Sequence, residues 1–332
     1  MMRLPRFRYL GPRTLEEAVA ALADLGPDAV PLAGGTDLLP NMKRRQQTPA
    51  TVVGLRGIAA LRGRAVDPGG GMVLGAMTPL AALASDRAVA GGWPALARAA
   101  ALVATPPLRN VATVGGNLCL DTRCTYYDQS EPWREAVGYC MKRDGDTCWV
   151  APGSDRCWAV SSTDTAPVLC ALDAEVSLRS RAGERRIPVA ELFADDGIRH
   201  LALRQGEVLA AVHVPPAAPG ERATYLKLRR RGSFDFPVLG VAARVRLGSG
   251  GAVESARIVL GGVGSRPQEA RAAAEFLAGR RLGDEETLRE AARLASQVAK
   301  PMLNTDFALG WRKQMAREWT LRALRQLAAR EG

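Results

Sequence analysis

Apolar positions recur along the first 55 residues with two spacings. Ala18, Val19, Ala21 and Leu22 share one face of a helix. Thr14-Leu15-Glu16-Glu17 ahead of them is a capping box, a threonine hydroxyl at the N-cap with a glutamate three places on, and Gly26 is the stop. Ala-Val-Pro-Leu-Ala over 29–33 reads as a short strand, Gly34-Gly35-Thr36-Asp37 as a turn, Leu38-Leu39 as the start of a short helix, and Thr51–Leu55 as the next strand. Over 56–104, short strands such as Met72–Ala76 alternate with helices around Ala81–Ala84 and Trp93–Val103. A second Gly-Gly turn, Gly115-Gly116, follows Leu108–Val114. A helix opens at Ser161-Ser-Thr-Asp164-Thr-Ala-Pro, and strands follow at 174–179, 185–189 and 207–214.

The Pro/Ala/Gly run 215–220 divides the chain. Beyond it, alternating strands (Val238–Leu247, Val253–Val259) precede three helices, Pro267–Leu277, Glu285–Val298 and Thr305–Ala329. The last carries Leu309, Met315, Trp319, Leu324 and Leu327 at helical spacing, a stripe for packing onto a sheet. The pattern predicts an α+β protein of two domains, 1–216 (subdomains 1–55 and 56–216) and 221–332.

Residues 121–160 carry neither period. They hold four cysteines, Cys124, Cys140, Cys148 and Cys157, spaced C-x15-C-x7-C-x8-C. Ordering such a loop costs roughly 1–2 kcal/mol per residue in backbone freedom. Tyr126, Tyr127, Trp133, Val137, Tyr139, Met141, Trp149 and Val150 would return ~2 kcal/mol each if buried, which falls short. Four thiolates on one metal centre would supply the missing constraint. Neither the close C-x2-4-C pairs of structural zinc nor a common ferredoxin spacing occurs, so spacing does not name the metal. Unrelated core cysteines stay open as a reading. Disulfides do too, although Met1–Pro12 lacks the apolar core of a secretory signal, which points to a reducing, cytoplasmic compartment. Cys119 and Cys170, in apolar surroundings, read as buried structural thiols.

The net charge of +11 raises nucleic acid as a partner, but the arginines are scattered and aromatics are only 5%. No basic-aromatic platform is visible, so a solvated basic surface is the better reading. No apolar run spans a bilayer. His200 and His213, the two histidines, lie near no carboxylate constellation, which argues against bond-making chemistry in this chain. The Gly-Gly turns are the chemically suggestive sites. Glycines let backbone N–H groups approach a phosphate, and Thr36, Thr113 and Asn117 add polar side chains. Neither turn is G-x-G-x-x-G, and each alone reads as a plain tight turn. Together they resemble two jaws on one extended polyphosphate ligand.

Ala33–Leu38 (Ala-Gly-Gly-Thr-Asp-Leu), Arg109–Asn117 (Arg-Asn-Val-Ala-Thr-Val-Gly-Gly-Asn), Ser162-Thr-Asp164-Thr-Ala-Pro-Val, and Lys227-x3-Arg231 with Asp235 occur in one order over the whole length. In this the chain resembles the FAD-binding medium subunit of the xanthine dehydrogenase / molybdenum hydroxylase family. The resemblance implies a two-part FAD-binding domain of the PCMH / vanillyl-alcohol-oxidase type and a C-terminal domain of the CO dehydrogenase flavoprotein type. It assigns Leu32, Ala33, Gly34, Gly35, Thr36, Asp37 and Leu38, with Thr113, Val114, Gly115, Gly116 and Asn117, to the FAD pyrophosphate. Asp164 and Lys227 would lie by the flavin or its ribityl and adenine ends. Lys227, reaching the isoalloxazine, would stabilise reduced flavin, so that Lys227→Met weakens flavin reduction more than flavin binding.

The 121–160 segment departs from the usual pattern and resembles the insertion in the β subunit of 4-hydroxybenzoyl-CoA reductase. That resemblance implies a [4Fe–4S] cluster on Cys124, Cys140, Cys148 and Cys157. The implied partners are a molybdopterin-containing large subunit and a small [2Fe–2S] subunit in a dimer of heterotrimers. Electrons would arrive from ferredoxin or a similar donor, for reductive dehydroxylation on the molybdenum subunit. The competing expectations are the FAD subunit of an oxidative hydroxylase (purine, aldehyde or N-heterocycle) and a zinc-stapled nucleic-acid-binding module.

Overall fold

The computed structural model describes residues 3–329. Strands β1 (Arg8–Leu10), β2 (Ala29–Leu32) and β3 (Thr51–Gly54) form a parallel sheet in the order β1-β3-β2. Parallel pairing needs crossovers, which helices Leu15–Leu25 and Leu38–Lys43 provide. The Thr14–Glu17 capping box is formed in both directions. It fixes the start of the first helix, whose face of Ala18, Val19 and Leu22 packs with Val53, Leu55, Ile58 and Leu61.

The second sheet is antiparallel, with β4 (Arg64–Val66), β5 (Met72–Gly75), β6 (Glu175–Ser180), β7 (Gly183–Pro188) and β8 (Val208–Val214) in the order β4-β5-β8-β6-β7. Helices at Leu80–Ser85, Arg87–Gly92, Pro94–Leu102 and Thr165–Ala171 share one core with Leu74, Val176, Leu178 and Val212 of this sheet. The third sheet follows Pro215–Gly220, with β9 (Glu221–Leu228), β10 (Leu239–Leu247), β11 (Val253–Gly261) and β12 (Gln268–Glu269) in the order β12-β11-β10-β9. Apart from a register shift between Arg246 and Leu247, its strands alternate, because successive side chains leave a strand on opposite faces. Leu239, Val241, Ala243 and Val245 meet the C-terminal helices Arg271–Leu277, Glu285–Ala295 and Leu309–Ala328. Tyr225, Ala242 and Val259 point the other way, into the core of the second sheet. The third sheet therefore docks on the preceding domain through its inner face.

The C-terminal helices are shorter than their apolar spacing predicts. Gln268 and Glu269 pair with Leu260 and Val259 instead of opening a helix. Phe307 takes a left-handed φ of 74°, so the last helix begins at Leu309, not Thr305. Residues 121–160 hold one short helix, Glu131–Ala136, and are otherwise turns and isolated bridges. The neck of this segment is closed by Arg123 N–H to Val160 O (2.8 Å) and Val160 N–H to Arg123 O (2.7 Å). Gln46 donates to Tyr127 O (2.7 Å) from the first subdomain, and Asn304 to Trp158 O (2.6 Å) from the last domain.

Glu207, where β8 begins, is gripped by Arg185 through two bonds of 2.7 Å. Those bonds hold its carboxyl below the usual glutamate range. A depressed folded-state pKa contributes stability above the free-glutamate pKa, lost as pH falls through the folded value. With Arg185 partly solvated, the effect is on the order of 1 kcal/mol or less. Urea unfolding of the holoprotein at stepped pH is expected to show Glu207→Gln losing less stability between pH 6 and pH 3 than the wild type. Parallel curves would remove this bridge as a source of acid sensitivity.

Candidate functional site

The first two sheets and the loop joining β9 to β10 border an open cleft of about 880 Å³, and the two glycine segments line it together. Gly34 lies so close to the turn before the second glycine segment that a Cβ would stand 2.0 Å from Val111 O. A Cβ on Gly115 would stand 2.7 Å from that of Ala76, and one on Gly116 would stand 3.4 Å from that of Ala33. Gly35 turns the chain at a left-handed φ of 74°. The missing side chains are thus what lets the segments touch. Thr113 caps the short helix Val114–Leu118 by accepting from Gly116 N–H at 3.1 Å. Asn117 Oδ1 accepts from the Thr163 hydroxyl (2.8 Å), the Thr165 hydroxyl (2.7 Å) and the Thr165 N–H (3.2 Å), tying the second glycine segment to the Ser162–Thr165 segment.

Leu32, Ala33, Gly34, Gly35, Thr36, Asp37, Leu38, Thr113, Gly115, Gly116, Asn117 and Asp164 all border this cleft. Val114 and Lys227 do not. Val114 is fully buried in the core beneath. Lys227 Nζ donates to Asp164 Oδ2 (2.8 Å) and to Leu102 O (3.0 Å), with its side chain 1% exposed. Asp164 Oδ1 in turn accepts from Tyr225 OH at 2.8 Å. Burial raises the Asp164 carboxyl and lowers the Lys227 ammonium, each opposed by the other's charge. The expectation that Lys227 reaches the isoalloxazine is therefore corrected. Its charge is committed to Asp164 and to the junction between domains, and Asp164 is the member of the pair that meets the cleft.

Arg123, Phe234, Phe236, His200 and the contacts of Asp37 lay outside the motif reading. Asp37 does not cap the helix at Leu38; it accepts from Asp121 N–H at 3.2 Å and pairs with Arg123. Arg123 also stacks on Phe236 at 4.0 Å, and Phe234, Asp235 and Phe236 form the opposite wall. Phe234 adopts a left-handed φ of 72°, and its N–H reaches Ala104 O at 3.0 Å. The Phe-Asp-Phe run after three arginines was the available signal, but nothing in its spacing announced a cleft. His200 also borders the cleft, beside Asp121, which corrects its expected isolation from carboxylates. Burial and the neighbouring Lys142 charge lower its pKa. Ser162 contributes a buried hydroxyl with no partner at the cleft wall. A nucleotide fits this lining: the glycine cradle supplies close backbone and Ser162 an unused polar group.

Cys124, Cys140, Cys148 and Cys157 are all buried, and all are free thiols. Burial pushes Cys124 up to about 12, with Cys157 and Cys140 adding to the shift; Cys157 is pushed up to about 11, with Cys148 and Cys140 adding. Cys124 thus has Cys157 and Cys140 as electrostatic neighbours, Cys157 has Cys148 and Cys140, and Cys124 and Cys157 pack with Tyr127 and Ala159. Among the described residues, no three His, Cys, Asp or Glu side chains cluster tightly enough for a single metal ion. Four buried free thiols are the donor set an iron–sulfur centre uses. Cys170 is buried as expected, but Cys119 is only half-buried and borders the cleft.

The chain belongs to the family described as the FAD binding domain in molybdopterin dehydrogenase, which matches residues 5–217. The CO dehydrogenase flavoprotein C-terminal domain matches residues 223–327. The aldehyde oxidoreductase FAD-binding subunit PaoB of Escherichia coli is 34% identical over 80% of this chain and 84% of its own. The carbon monoxide dehydrogenase medium chain of Hydrogenophaga pseudoflava is 31% identical over 98% of each chain. Among solved structures, reconstituted CO dehydrogenase from Oligotropha carboxidovorans superposes with a TM-score of 0.82, at 29% identity, over 99% of this chain and 100% of that one. The α+β fold expected from the resemblance is the one observed, and the chain is an FAD-binding electron-transfer subunit of a molybdenum hydroxylase-type oxidoreductase. These relatives are named as dehydrogenases or oxidoreductases. The nearer resemblance to 4-hydroxybenzoyl-CoA reductase rests on the cysteine segment alone.

Proposed function

We propose that this chain serves an oxidative complex in which an aldehyde, purine or N-heterocycle is hydroxylated on a separate molybdopterin subunit. The two touching glycine segments that line the cleft carry this reading, and the names of the relatives support the direction. FAD, when bound, exchanges electrons in pairs or singly. The chain's own part is to bind and orient it: the glycine segments at the pyrophosphate, with Asn117, Ser162 and Asp164 as polar contacts. A small [2Fe–2S] subunit, a dimer of heterotrimers and a cytoplasmic site complete the proposal, with nucleic acid excluded. Among the described residues no helix is long and apolar enough to cross a membrane.

The four buried, free cysteines favour a second reading. Here Cys124, Cys140, Cys148 and Cys157 hold a [4Fe–4S] cluster, and the complex acts reductively, as 4-hydroxybenzoyl-CoA reductase does, with electrons from ferredoxin or a similar carrier. The charged residues of the segment that are mostly solvent-facing are acidic (Glu131, Glu135, Asp144, Asp146, Asp155), although Asp144 pairs with the partly buried Arg143, in a chain of net +11. A carrier meeting that surface would present a basic one.

Cofactor analysis of the anaerobically purified chain tests both readings. Both readings expect stoichiometric FAD; the second adds iron and acid-labile sulfide in equal amounts, with Cys148→Ser keeping flavin while losing iron and sulfide. Flavin without sulfide leaves only the oxidative reading standing. Neither cofactor refutes both.

A further inference from the structure

Lys142 lies inside the cysteine segment, two residues after Cys140, with its side chain only 5% exposed. Its Nζ donates to three oxygens: Asp121 Oδ1 (2.8 Å), Thr122 Oγ1 (2.7 Å) and Gly197 O (2.6 Å). It also stands 4.9 Å from the centre of the Tyr127 ring. Gly197 is the hinge of this arrangement. Its N–H reaches Cys157 O at 2.9 Å, and a Cβ on it would press to 2.7 Å from Cys157 Sγ. One glycine thus has the Cys157 sulfur against its Cα and the ammonium of Lys142 on its carbonyl. On the other side, Asp121 and His200 border the cleft. Thr122, which also donates to Gly197 O, completes a continuous path of contacts from thiols to cleft.

We propose that Lys142 is a positioning residue that fastens the cysteine segment to the cleft wall and sets a fixed positive charge between the thiol centre and the flavin cleft, making a cluster held there easier to reduce. This rests on the second reading above. One-electron reduction of a cluster by an outside carrier adds one negative charge and no proton. A buried cation nearby therefore favours the reduced state, and does so strongly because little water screens it. On the cleft side the Lys142 charge is felt at His200, which is lowered by burial and then by Lys142. Asp121 partly compensates the ammonium, so the pair sets the local charge together.

The test is a dye-mediated redox titration of the anaerobic full chain, followed by EPR, with iron and sulfide measured alongside. Lys142→Gln is expected to keep its iron and to lower the reduced-to-oxidised ratio at a fixed potential at least about tenfold, ~59 mV for one electron. Lys142→Arg should stay near the wild type. Should Lys142→Gln lose its iron, Asp121→Asn decides: removing the compensating carboxylate should move the potential in the opposite direction, which a purely structural role would not do. Iron-loaded Lys142→Gln with an unchanged potential, or Asp121→Asn shifting downward or not at all, overturns the proposal. A wild-type chain without iron and sulfide instead overturns the reading it rests on.

Discussion

Lys227→Met is expected to destabilise the protein by about 3–5 kcal/mol, the cost of leaving a buried charge without its partner. The Asp164 side chain is 2% exposed and holds two bonds, one from Lys227 and one from Tyr225. With the ammonium gone, Asp164 must either ionise alone in the interior or take up a proton. The same ammonium reaches Leu102 O, so the substitution also cuts a polar tie between β9 and the helix Pro94–Leu102. Because Asp164 borders the cleft, flavin affinity should fall together with stability, and not flavin reduction selectively. Asp164→Asn combined with Lys227→Met removes both charges and should recover most of the loss, since Tyr225 can still donate to the amide oxygen. Urea denaturation and flavin titration of the holoprotein decide the matter. A single variant as stable as the wild type, or a double variant no better than the single, would remove the pair as a clamp.

The case of Lys227 shows what could be read in the sequence and what could not. Local rules located the capped first helix, the parallel β–turn–α–β unit and the alternating strands of the last sheet, because each is written in a few neighbouring residues. The first glycine segment was legible as a turn, but Gly115-Gly116, read as a second turn, lies inside the short helix Val114–Leu118. The contact between the segments was not legible, since the approach of Gly34 to Val111 depends on how distant parts of the chain pack. Lys227 lies on a strand whose neighbours alternate between two cores, and its period alone does not say which group its ammonium meets. The 121–160 segment was recognisable by its lack of either period, and its four cysteines are buried. Its links to Gln46, Gly197 and Asn304 come from three parts of the chain and leave no local trace.

Gly34→Ala is expected to reduce FAD affinity by more than about 100-fold, some 2.7 kcal/mol. The added methyl would stand 2.0 Å from Val111 O, 2.7 Å from the carbonyl carbon and 3.1 Å from Ala112 Cα. All three are backbone atoms, so no side chain can swing aside, and the two glycine segments must separate. Overfilled sites already cost typically 1–3 kcal/mol where side chains can adjust. Gly35→Ala is the informative contrast. Its cost is the left-handed φ of 74°, about 1–2 kcal/mol. The nearest obstacles to its methyl include the Leu39 and Leu32 side-chain ends, at 3.0 and 3.3 Å, which can give way. Gly35→Ala should therefore lose stability with little loss of flavin, whereas Gly34→Ala should lose flavin beyond what its stability change explains. Fluorescence titration of the refolded, flavin-stripped chains separates the two. Gly34→Ala binding FAD as tightly as the wild type would mean that close approach of the two segments is not what forms the site.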